Sequence, residues 1–320
     1  MRVALDAMGG DYAPSEIVKG ALQAKKEWDN LEIILVGDRE KIGEVPFEVV
    51  HTQVVVEPHE LPGKALKEKP DSSIGIGVRM IREGRADAFV SAGNTGAVMA
   101  FSLINLGRIK GVKRPALATF FPTRKGHSLV LDVGANSDVK PIYLYQFGVM
   151  GSIYLSRVYG IEKPAVGLLS MGEEETKGNR LIEEAHELMK QSPHINFYGN
   201  IEGHDILEGK VDVVVCDGFT GNAVLKFGES LVEFMQDILK EEAKKSLRTM
   251  IGGILFKPAF KELLERVNYE EYGGAILLGV RGIVVVSHGK SKAKAIKNAI
   301  GSAYRFYRER VNEIIREELE

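Results

Sequence analysis

Two loops of this sequence combine glycine with small polar residues in the same arrangement. The residues at 217–222, Asp-Gly-Phe-Thr-Gly-Asn, follow a fully apolar run and open a long helical pattern. The residues at 93–96, Gly-Asn-Thr-Gly, repeat that arrangement. Glycine lets a backbone approach a ligand closely, and the first N–H groups of a helix bind anions. Each loop therefore suits a phosphate group, and each is explained equally well as a strand-to-helix turn, with Asn222 as a helix N-cap.

A third loop, at 172–179, places one lysine among acidic and amide side chains. Glutamates occupy positions 173–175, and Lys177 is separated from Asn179 by a single glycine. A lysine in such a setting suits a cation that holds a bound anion. The competing interpretation is a solvated, charged loop.

The other polar residues do not complete a metal, nicotinamide or nucleophile site. Asp132, Asn136 and Asp138 are close in sequence, but no helical aspartate or histidine set accompanies them as metal ligands. The first apolar run ends at Asp6 without the G-x-G-x-x-G pattern that binds dinucleotides. The histidines form no H-E-x-x-H, and there is no G-x-S-x-G elbow. We expect neither a metal nor a cofactor.

His288 and Cys216 need separate consideration because both side chains are reactive. His288 follows an apolar run and precedes glycine and lysine, so it either contacts substrate or only hydrogen-bonds within its own loop. Cys216 lies at the end of an apolar run, which is more typical of a core residue than of a nucleophile. As the single cysteine, it excludes an internal disulfide and fits a reducing compartment.

Short apolar runs alternate with longer helical patterns, which predicts an α/β fold with a mostly parallel sheet and helices on both faces. We expect one catalytic domain over residues 1–320. The predicted strands are 3–5, 33–36, 88–91, 129–133, 165–170, 211–216 and 283–287. Ligands of open α/β sheets bind beyond the carboxyl ends of the strands. The polar loops that follow the predicted strands are therefore expected to form one shared rim.

A helical hairpin is predicted to project from this domain at about 240–267, as a charged helix, an apolar turn and a second charged helix. Residues 244–261 contain five basic side chains and no acidic one. An apolar turn between lysines suits contact with an anionic membrane, and the alternative is burial against a dimer partner. The predicted membrane residues are Ile254, Leu255, Phe256, Lys257 and Phe260. Before the hairpin, apolar residues recur at 224, 227, 231, 234 and 238, which predicts a buried helix face.

Bulk properties narrow the class of protein. The 320 residues are 44% hydrophobic and 27% charged, which is typical of a globular chain. A net charge of −2 argues against wholesale binding of nucleic acid. Asp6 interrupts the amino terminus too early for a signal peptide. The uncharged stretch 88–107 is long enough to test as a membrane span, but its polar middle argues for a strand, loop and helix, so we expect a soluble chain.

Several of these segments, in this order along the chain, resemble the phosphate acyltransferases of bacterial phospholipid synthesis. The similar segments are 5–14, 91–97, 131–136, 217–222 and 287–289. The resemblance implies a fold like that of isocitrate and isopropylmalate dehydrogenases and of phosphotransacetylases. It further implies a homodimer. The single cysteine and the composition of the hairpin predict a cytoplasmic protein that associates peripherally with the inner face of the cell membrane. Such an enzyme moves a long-chain acyl group from acyl carrier protein to inorganic phosphate, and the acyl phosphate then acylates glycerol 3-phosphate.

This chemistry needs no activated side-chain nucleophile, because phosphate is already an anion near neutral pH. The protein must hold phosphate against the thioester and stabilise the developing oxyanion. We assign phosphate to Lys177 and the Asn222 turn, and expect Asp6 and His288 to orient groups or move protons. The predicted catalytic residues are Asp6, Lys177, Asn179, Asn222 and His288. The predicted substrate-binding residues are Gly93, Asn94, Thr95, Gly96, Asn136, Gly218, Thr220 and Gly221.

Three other functions stay open on sequence grounds. A phosphotransacetylase-like enzyme would use acyl-coenzyme A, and a decarboxylating dehydrogenase of the same fold would need a nicotinamide and a metal. A non-catalytic scaffold is disfavoured by the number of polar loops. For the acidic carrier protein we expect a local basic patch. Its predicted members are Arg108, Lys110, Lys113, Arg114, Arg124 and Lys125.

Overall fold

A single eleven-stranded sheet crosses the part of the chain that the computed structural model describes. That part comprises residues 1–267 and 273–320, with every side chain except those of residues 247 and 263–267. The strands are β1 (Arg2–Asp6), β2 (Glu32–Gly37), β3 (Glu48–His51), β4 (Ala88–Ser91), β5 (Ala116–Thr123), β6 (Gly126–Leu131), β7 (Ala165–Leu169), β8 (Asn196–Ile201), β9 (Val213–Val215), β10 (Ala275–Leu278) and β11 (Ile283–Val286). Their spatial order is β3-β2-β1-β4-β11-β10-β5-β6-β9-β7-β8.

Twelve helices are described in the same residues. They are α1 (Ser15–Glu27), α2 (Arg39–Ile42), α3 (Pro62–Glu68), α4 (Ser73–Arg82), α5 (Thr95–Asn105), α6 (Pro141–Tyr159), α7 (Arg180–Lys190), α8 (Gly203–Glu208), α9 (Gly218–Ala243), α10 (Leu247–Val267), α11 (Ala293–Arg308) and α12 (Val311–Leu319). Successive residues of β1 enter different cores: Val3 and Leu5 pack in one, and Ala4 packs in the other. The predicted α/β fold, mostly parallel with helices on both faces, is therefore confirmed.

The seven predicted strands all form, and the structure adds four that the sequence pattern did not reveal. β3 and β8 are the two outermost strands of the sheet, and both contain exposed residues. They therefore lack the continuous apolar run of a fully buried strand. β5 and β10 lie inside the sheet and are mostly apolar. Their pairings are antiparallel: β10 pairs with β11 and with β5, and β5 pairs with β6.

These antiparallel pairings show that the expectation of one shared rim is wrong. β1, β4 and β11 are parallel to one another, and so are β6, β9 and β7. The three reversals between β11 and β6 make the two sets antiparallel. The carboxyl ends of the first set therefore lie at one edge of the sheet, called the first edge here. Those of the second set lie at the opposite, second edge.

The hairpin is longer than predicted, and its turn lies elsewhere. α9 and α10 are separated only by residues 244–246, so the segment around Ile254 to Phe260, predicted as a turn, is helical. Pro258 lies within α10, and Gly252 meets no neighbour within 4 Å at its Cβ position. Across the short turn, Thr249 Oγ1 donates a hydrogen bond to the Ala243 carbonyl at 3.2 Å.

Among the described residues, none of the helices combines the length and the apolar character that a bilayer span requires. The segment 88–107, tested above as a span, forms β4, a loop and α5 as expected from its polar middle.

Candidate active site

Asp6 is the buried centre of the polar loops at the first edge. It lies at the end of β1 and is 1% exposed. Its Oδ2 accepts a hydrogen bond from Ser91 Oγ at 2.7 Å, and its Oδ1 accepts one from the Met8 N–H at 3.0 Å. Burial raises the pKa of the Asp6 carboxyl, while these hydrogen bonds act in the opposite direction. Gly9 packs so closely that a Cβ there would lie 2.5 Å from Asp6 Oδ2.

The loop 93–96 caps α5, and the side chain of Asn94 is fully used in doing so. Its Oδ1 accepts a hydrogen bond from the Ala97 N–H at 3.0 Å. Its Nδ2 lies 2.9 to 3.0 Å from the carbonyl oxygens of Glu57, Pro58 and Glu60. The expectation that Asn94 donates a hydrogen bond to substrate is therefore not supported. The N–H groups of Thr95 and Gly96 open the helix, where helix geometry offers them no intrahelical acceptor.

His288 lies at the first edge with its ring half-buried. It follows β11, and its Nδ1 accepts a hydrogen bond from the Lys290 N–H at 3.2 Å. Burial lowers the pKa of His288, and Lys226 and Glu229 of α9 are among the charges that act on it. The loop after β1 is joined to the loop after β11 by a hydrogen bond, in which the Asp11 N–H donates to the Gly289 carbonyl at 2.8 Å. The loops after β1, β4 and β11 therefore form one cluster, which is only part of the single rim that the sequence predicted.

At the second edge, the loop after β6 folds around Asp132. Its Oδ1 accepts N–H groups from residues 117, 134 and 135, and its Oδ2 accepts both the N–H and the Nδ2 of Asn136. Burial raises the pKa of the Asp132 carboxyl, although these hydrogen bonds act to lower it. Asn136 Nδ2 also donates to the Pro115 carbonyl at 2.7 Å. Because both its amide hydrogens are used within the protein, Asn136 holds the loop rather than offering a donor to substrate.

The first turn of α9 corrects the prediction made for Asn222. Asp217 is the N-cap, since its carboxylate accepts the N–H and the Oγ1 hydrogen of Thr220 at 2.9 and 2.7 Å. Asn222 is the fifth helical residue and is exposed, so its interpretation as the N-cap is wrong. The Gly218 N–H is donated to the Asn136 carbonyl at 2.7 Å.

The glycines of this turn serve packing. A Cβ at Gly221 would lie 2.0 Å from the Asp132 carbonyl oxygen, and one at Gly218 would lie 2.7 Å from that of Asn136. The predicted anion cradle of Gly218, Thr220 and Gly221 is therefore occupied by the protein itself.

The loop 172–179, which follows β7, also lies at the second edge. Glu173 and Glu175 are paired, with Lys210 and Lys190 respectively. Lys177 is exposed, and among the described residues its ammonium group forms no hydrogen bond or ion pair. Asn179 is the N-cap of α7 and accepts the Ile182 N–H at 3.1 Å. The loop therefore has features of both interpretations offered by the sequence. Two of its glutamates form surface ion pairs, as in a solvated charged loop, and Lys177 is exposed and could bind an anion.

One face of α9 runs from the second edge to the loops of the first. Asn222, Lys226, Glu229 and Glu233 follow one another at intervals of three or four residues, which places them on that face. Lys226 pairs with Glu229 at 2.7 Å, and Glu233 lies 3.4 Å from the Nζ of Lys290, beside His288. We call these four side chains the α9 strip. Lys226 was not predicted, although its position one turn after Asn222 was visible in the sequence.

Two cavities of about 390 and 380 Å³ lie away from these loops. The first is lined by residues at the amino ends of β1 and β2, including Arg2 and Glu32, and by Lys25 of α1. The second lies between α11 and α12, beside Tyr307 and Asn312. Because the polar loops and the open helix terminus converge elsewhere, we place the candidate site along the α9 strip rather than in either cavity.

The six predicted basic residues do not form one patch. Arg108, Lys110, Lys113 and Arg114 precede β5, whereas Arg124 and Lys125 follow it, and β5 is eight residues long. The two groups are therefore separated by the length of that strand. Arg124 and Lys110 are in addition paired, with Glu208 and Glu320 respectively.

The sheet and its helices form the α/β fold that is also found in phosphotransacetylases. A phosphotransacetylase from Streptococcus pyogenes superposes with a TM-score of 0.63 over 96% of this chain and 94% of its own, at 18% identity. A profile of the family described as "Fatty acid synthesis protein" matches residues 1–314. The chain belongs to this family and is an acyltransferase of the phosphate acyltransferase type.

Two curated relatives support that identification. The phosphate acyltransferase of Dictyoglomus turgidum is 49% identical over 100% of this chain and 98% of its own length. The phosphate acyltransferase of Heliobacterium modesticaldum is 51% identical over 94% of this chain and 92% of its own. The family resemblance expected from the sequence is thus confirmed.

Proposed function

We propose that this chain transfers a long-chain fatty acyl group from acyl carrier protein to inorganic phosphate, giving an acyl phosphate for glycerol 3-phosphate acylation. The observation that carries the proposal is the full-length match to a phosphate acyltransferase at 49% identity. The α9 strip supports it, because Asn222 lies beside Gly134 of the loop after β6, and Lys226 is among the charges that act on His288 after β11.

The proposed reaction is attack of a phosphate oxygen on the thioester carbonyl carbon. A C–O bond forms, the C–S bond breaks, and the electron pair leaves on sulfur. A thiol with a pKa of about 8.5 departs with little help from a general acid. Phosphate is held by Lys177 and Asn222 at the second edge. Lys226, one helical turn after Asn222, offsets the negative charge that develops on the carbonyl oxygen. Asp6 and His288 keep the first-edge loops in place.

The donor is tested by incubating the purified protein with palmitoyl-acyl carrier protein, with and without phosphate. We expect phosphate-dependent loss of the acylated carrier and appearance of acyl phosphate. Palmitoyl-coenzyme A and acetyl-coenzyme A are the comparison donors. Faster turnover with acetyl-coenzyme A than with the acylated carrier would favour a phosphotransacetylase-like enzyme and overturn the proposal.

We further propose a homodimer, supported by an uncovered apolar face on α9. This face was predicted to be buried, yet in the single chain Phe227 is 70% exposed and Phe234 is 61% exposed. Leu231, Met235 and Ile238 are exposed beside them. A continuous apolar helix face of this size is unfavourable in water and suits a second copy of the chain. Phe227→Ser with Phe234→Ser should yield monomers by light scattering, and an unchanged mass would contradict the dimer.

The hairpin supports the proposal of peripheral binding at the inner face of the cell membrane. On α10, Ile251, Ile254 and Leu255 recur at helical spacing and are exposed, with Phe256 and Lys257 exposed beside them and Phe260 half-buried. An exposed apolar segment with lysines beside it suits an anionic lipid surface, each nearby cation contributing about 1 kcal/mol. The anchor is thus proposed as an exposed helical segment rather than as a turn.

Membrane binding and dimer formation are separated by two sets of variants. One reverses the charges of Lys257 and Lys261, and the other replaces Leu255 and Phe256 with serine. We expect loss of binding to phosphatidylglycerol vesicles, with the dimer and the activity in solution retained. Dissociation of the dimer by these variants would instead identify the hairpin as a subunit interface.

A further inference from the structure

A buried histidine–asparagine pair lies beneath the loop that carries Lys177. His186 of α7 is 3% exposed and Asn200 of β8 is 2% exposed. Asn200 Nδ2 donates to the Glu174 carbonyl at 2.9 Å and lies 3.4 Å from the Lys177 carbonyl. His186 Nδ1 lies 3.0 Å from Asn200 Oδ1. The amide therefore connects the core to two backbone points of the loop 172–179.

The hydrogen-bond roles in this pair follow from its surroundings. Because Nδ2 faces two carbonyl oxygens, Oδ1 must be the atom that faces His186, and Nδ1 of the ring must carry the proton that it donates. The other ring nitrogen, Nε2, lies 3.9 Å from Glu175 Oε1, a carboxylate already paired with Lys190. All these polar contacts are directed to Asn200 or to the loop.

The loop itself converges on Lys177. The Lys177 N–H donates to the Glu174 carbonyl at 2.9 Å, and the Lys177 carbonyl also accepts Ser170 Oγ at 2.9 Å. Gly178 follows with a φ of +125°, a conformation that side chains other than glycine rarely adopt. Burying two polar side chains is costly unless their hydrogen bonds are made, so this pair holds the loop in one conformation.

We propose that Asn200, oriented by His186, is a positioning residue that aims the ammonium group of Lys177 at phosphate. The proposal rests on the phosphate-binding role proposed above for Lys177. A solvated lysine on a loop loses much of its benefit if the loop moves, because effective charge stabilisation requires a fixed geometry. Asn200 supplies that geometry without contacting the substrate.

The test compares Asn200→Ala with Asn196→Ala in the full-length protein. Asn196 is a matched control, because it lies on the same strand and donates its Nδ2 to the Lys163 carbonyl at 3.1 Å, in a different loop. We expect Asn200→Ala to raise the KM for phosphate by about tenfold with a smaller effect on kcat. Hydrogen exchange of the amides at 172–179 should accelerate in this variant and not in Asn196→Ala.

The Lys177→Ala background distinguishes failure of this proposal from failure of the proposed function. If Asn200 acts through Lys177, Asn200→Ala should add nothing to the KM of Lys177→Ala. An effect of Lys177→Ala without one of Asn200→Ala overturns the positioning role alone. An unchanged KM in Lys177→Ala overturns the phosphate assignment of Lys177 and the proposal with it. Ser170→Ala, which removes a partly exposed contact to the same carbonyl, replaces Asn200→Ala if that variant does not fold.

Discussion

At the residue scale, His288 has an acid–base behaviour that stability measurements can follow. Burial lowers its pKa in the folded protein, so between that value and the ordinary value near 6.5 the unfolded chain binds more protons. The stabilising contribution of the neutral ring is complete above pH 6.5 and is lost as the pH falls toward the folded pKa. We expect His288→Gln to be less acid-sensitive than the unaltered protein in denaturant unfolding from pH 7.5 to 5. Parallel curves would contradict this.

Lys226 provides a second residue-scale prediction, this time on activity. It lies on the α9 strip, paired with Glu229 and near His288. Lys226→Ala should lower kcat/KM by about a hundredfold or more, because one charge that stabilises the transition state is lost. Lys240→Ala removes a lysine from the same helix beyond the strip, where it pairs with Asp237 at 3.0 Å, and should leave kcat/KM unchanged. Equal effects of the two variants would place the reaction elsewhere.

At the scale of the element, two residues in the first turns of α9 are expected to affect different properties, one the stability of the protein and the other its activity. Asp217 caps the helix and Asn222 does not, since Asp217 Oδ1 accepts the Thr220 N–H. Asp217→Ala should therefore reduce the free energy of unfolding by about 1 kcal/mol. Asn222→Ala should leave stability nearly unchanged and reduce activity. Urea unfolding together with steady-state kinetics checks both, and a large stability loss in Asn222→Ala would argue against this division of roles.

At the scale of the whole molecule, docking of an acidic carrier should depend on salt. The basic residues before β5 and after it are separated by that strand, so only one group can dominate the contact. Arg114 precedes Pro115, whose carbonyl accepts the Asn136 Nδ2 hydrogen at the second edge. We expect the KM for the acylated carrier to rise with ionic strength and with Arg114→Glu, and not with Arg124→Glu. A KM independent of salt would exclude electrostatic docking.

Removal of metal ions is the other test on the whole molecule. Lysines supply the positive charge in the proposed mechanism, so exhaustive chelation with EDTA should leave turnover unchanged. Addition of magnesium or zinc to the chelated protein is the control. Turnover that disappears on chelation and returns with one metal would require a different mechanism.

The sequence by itself determined the fold class, the seven apolar strands and the family. Buried parallel strands are continuous apolar runs, and glycine-rich turns after them are local features, so both are visible without a structure. Asp6 and His288 were placed correctly at strand ends for this reason.

Only the tertiary structure decided which loops meet. The antiparallel strands β5 and β10 reverse the direction of half the sheet, and no local pattern records a strand's direction. In the folded protein, the amide groups of Asn94 and Asn136 already donate hydrogen bonds to carbonyl groups that are distant in sequence. The structure also shows that the described residues leave the apolar face of α9 exposed. Hydrophobic periodicity reports that a face must be buried, and it does not report whether the covering surface belongs to the same molecule.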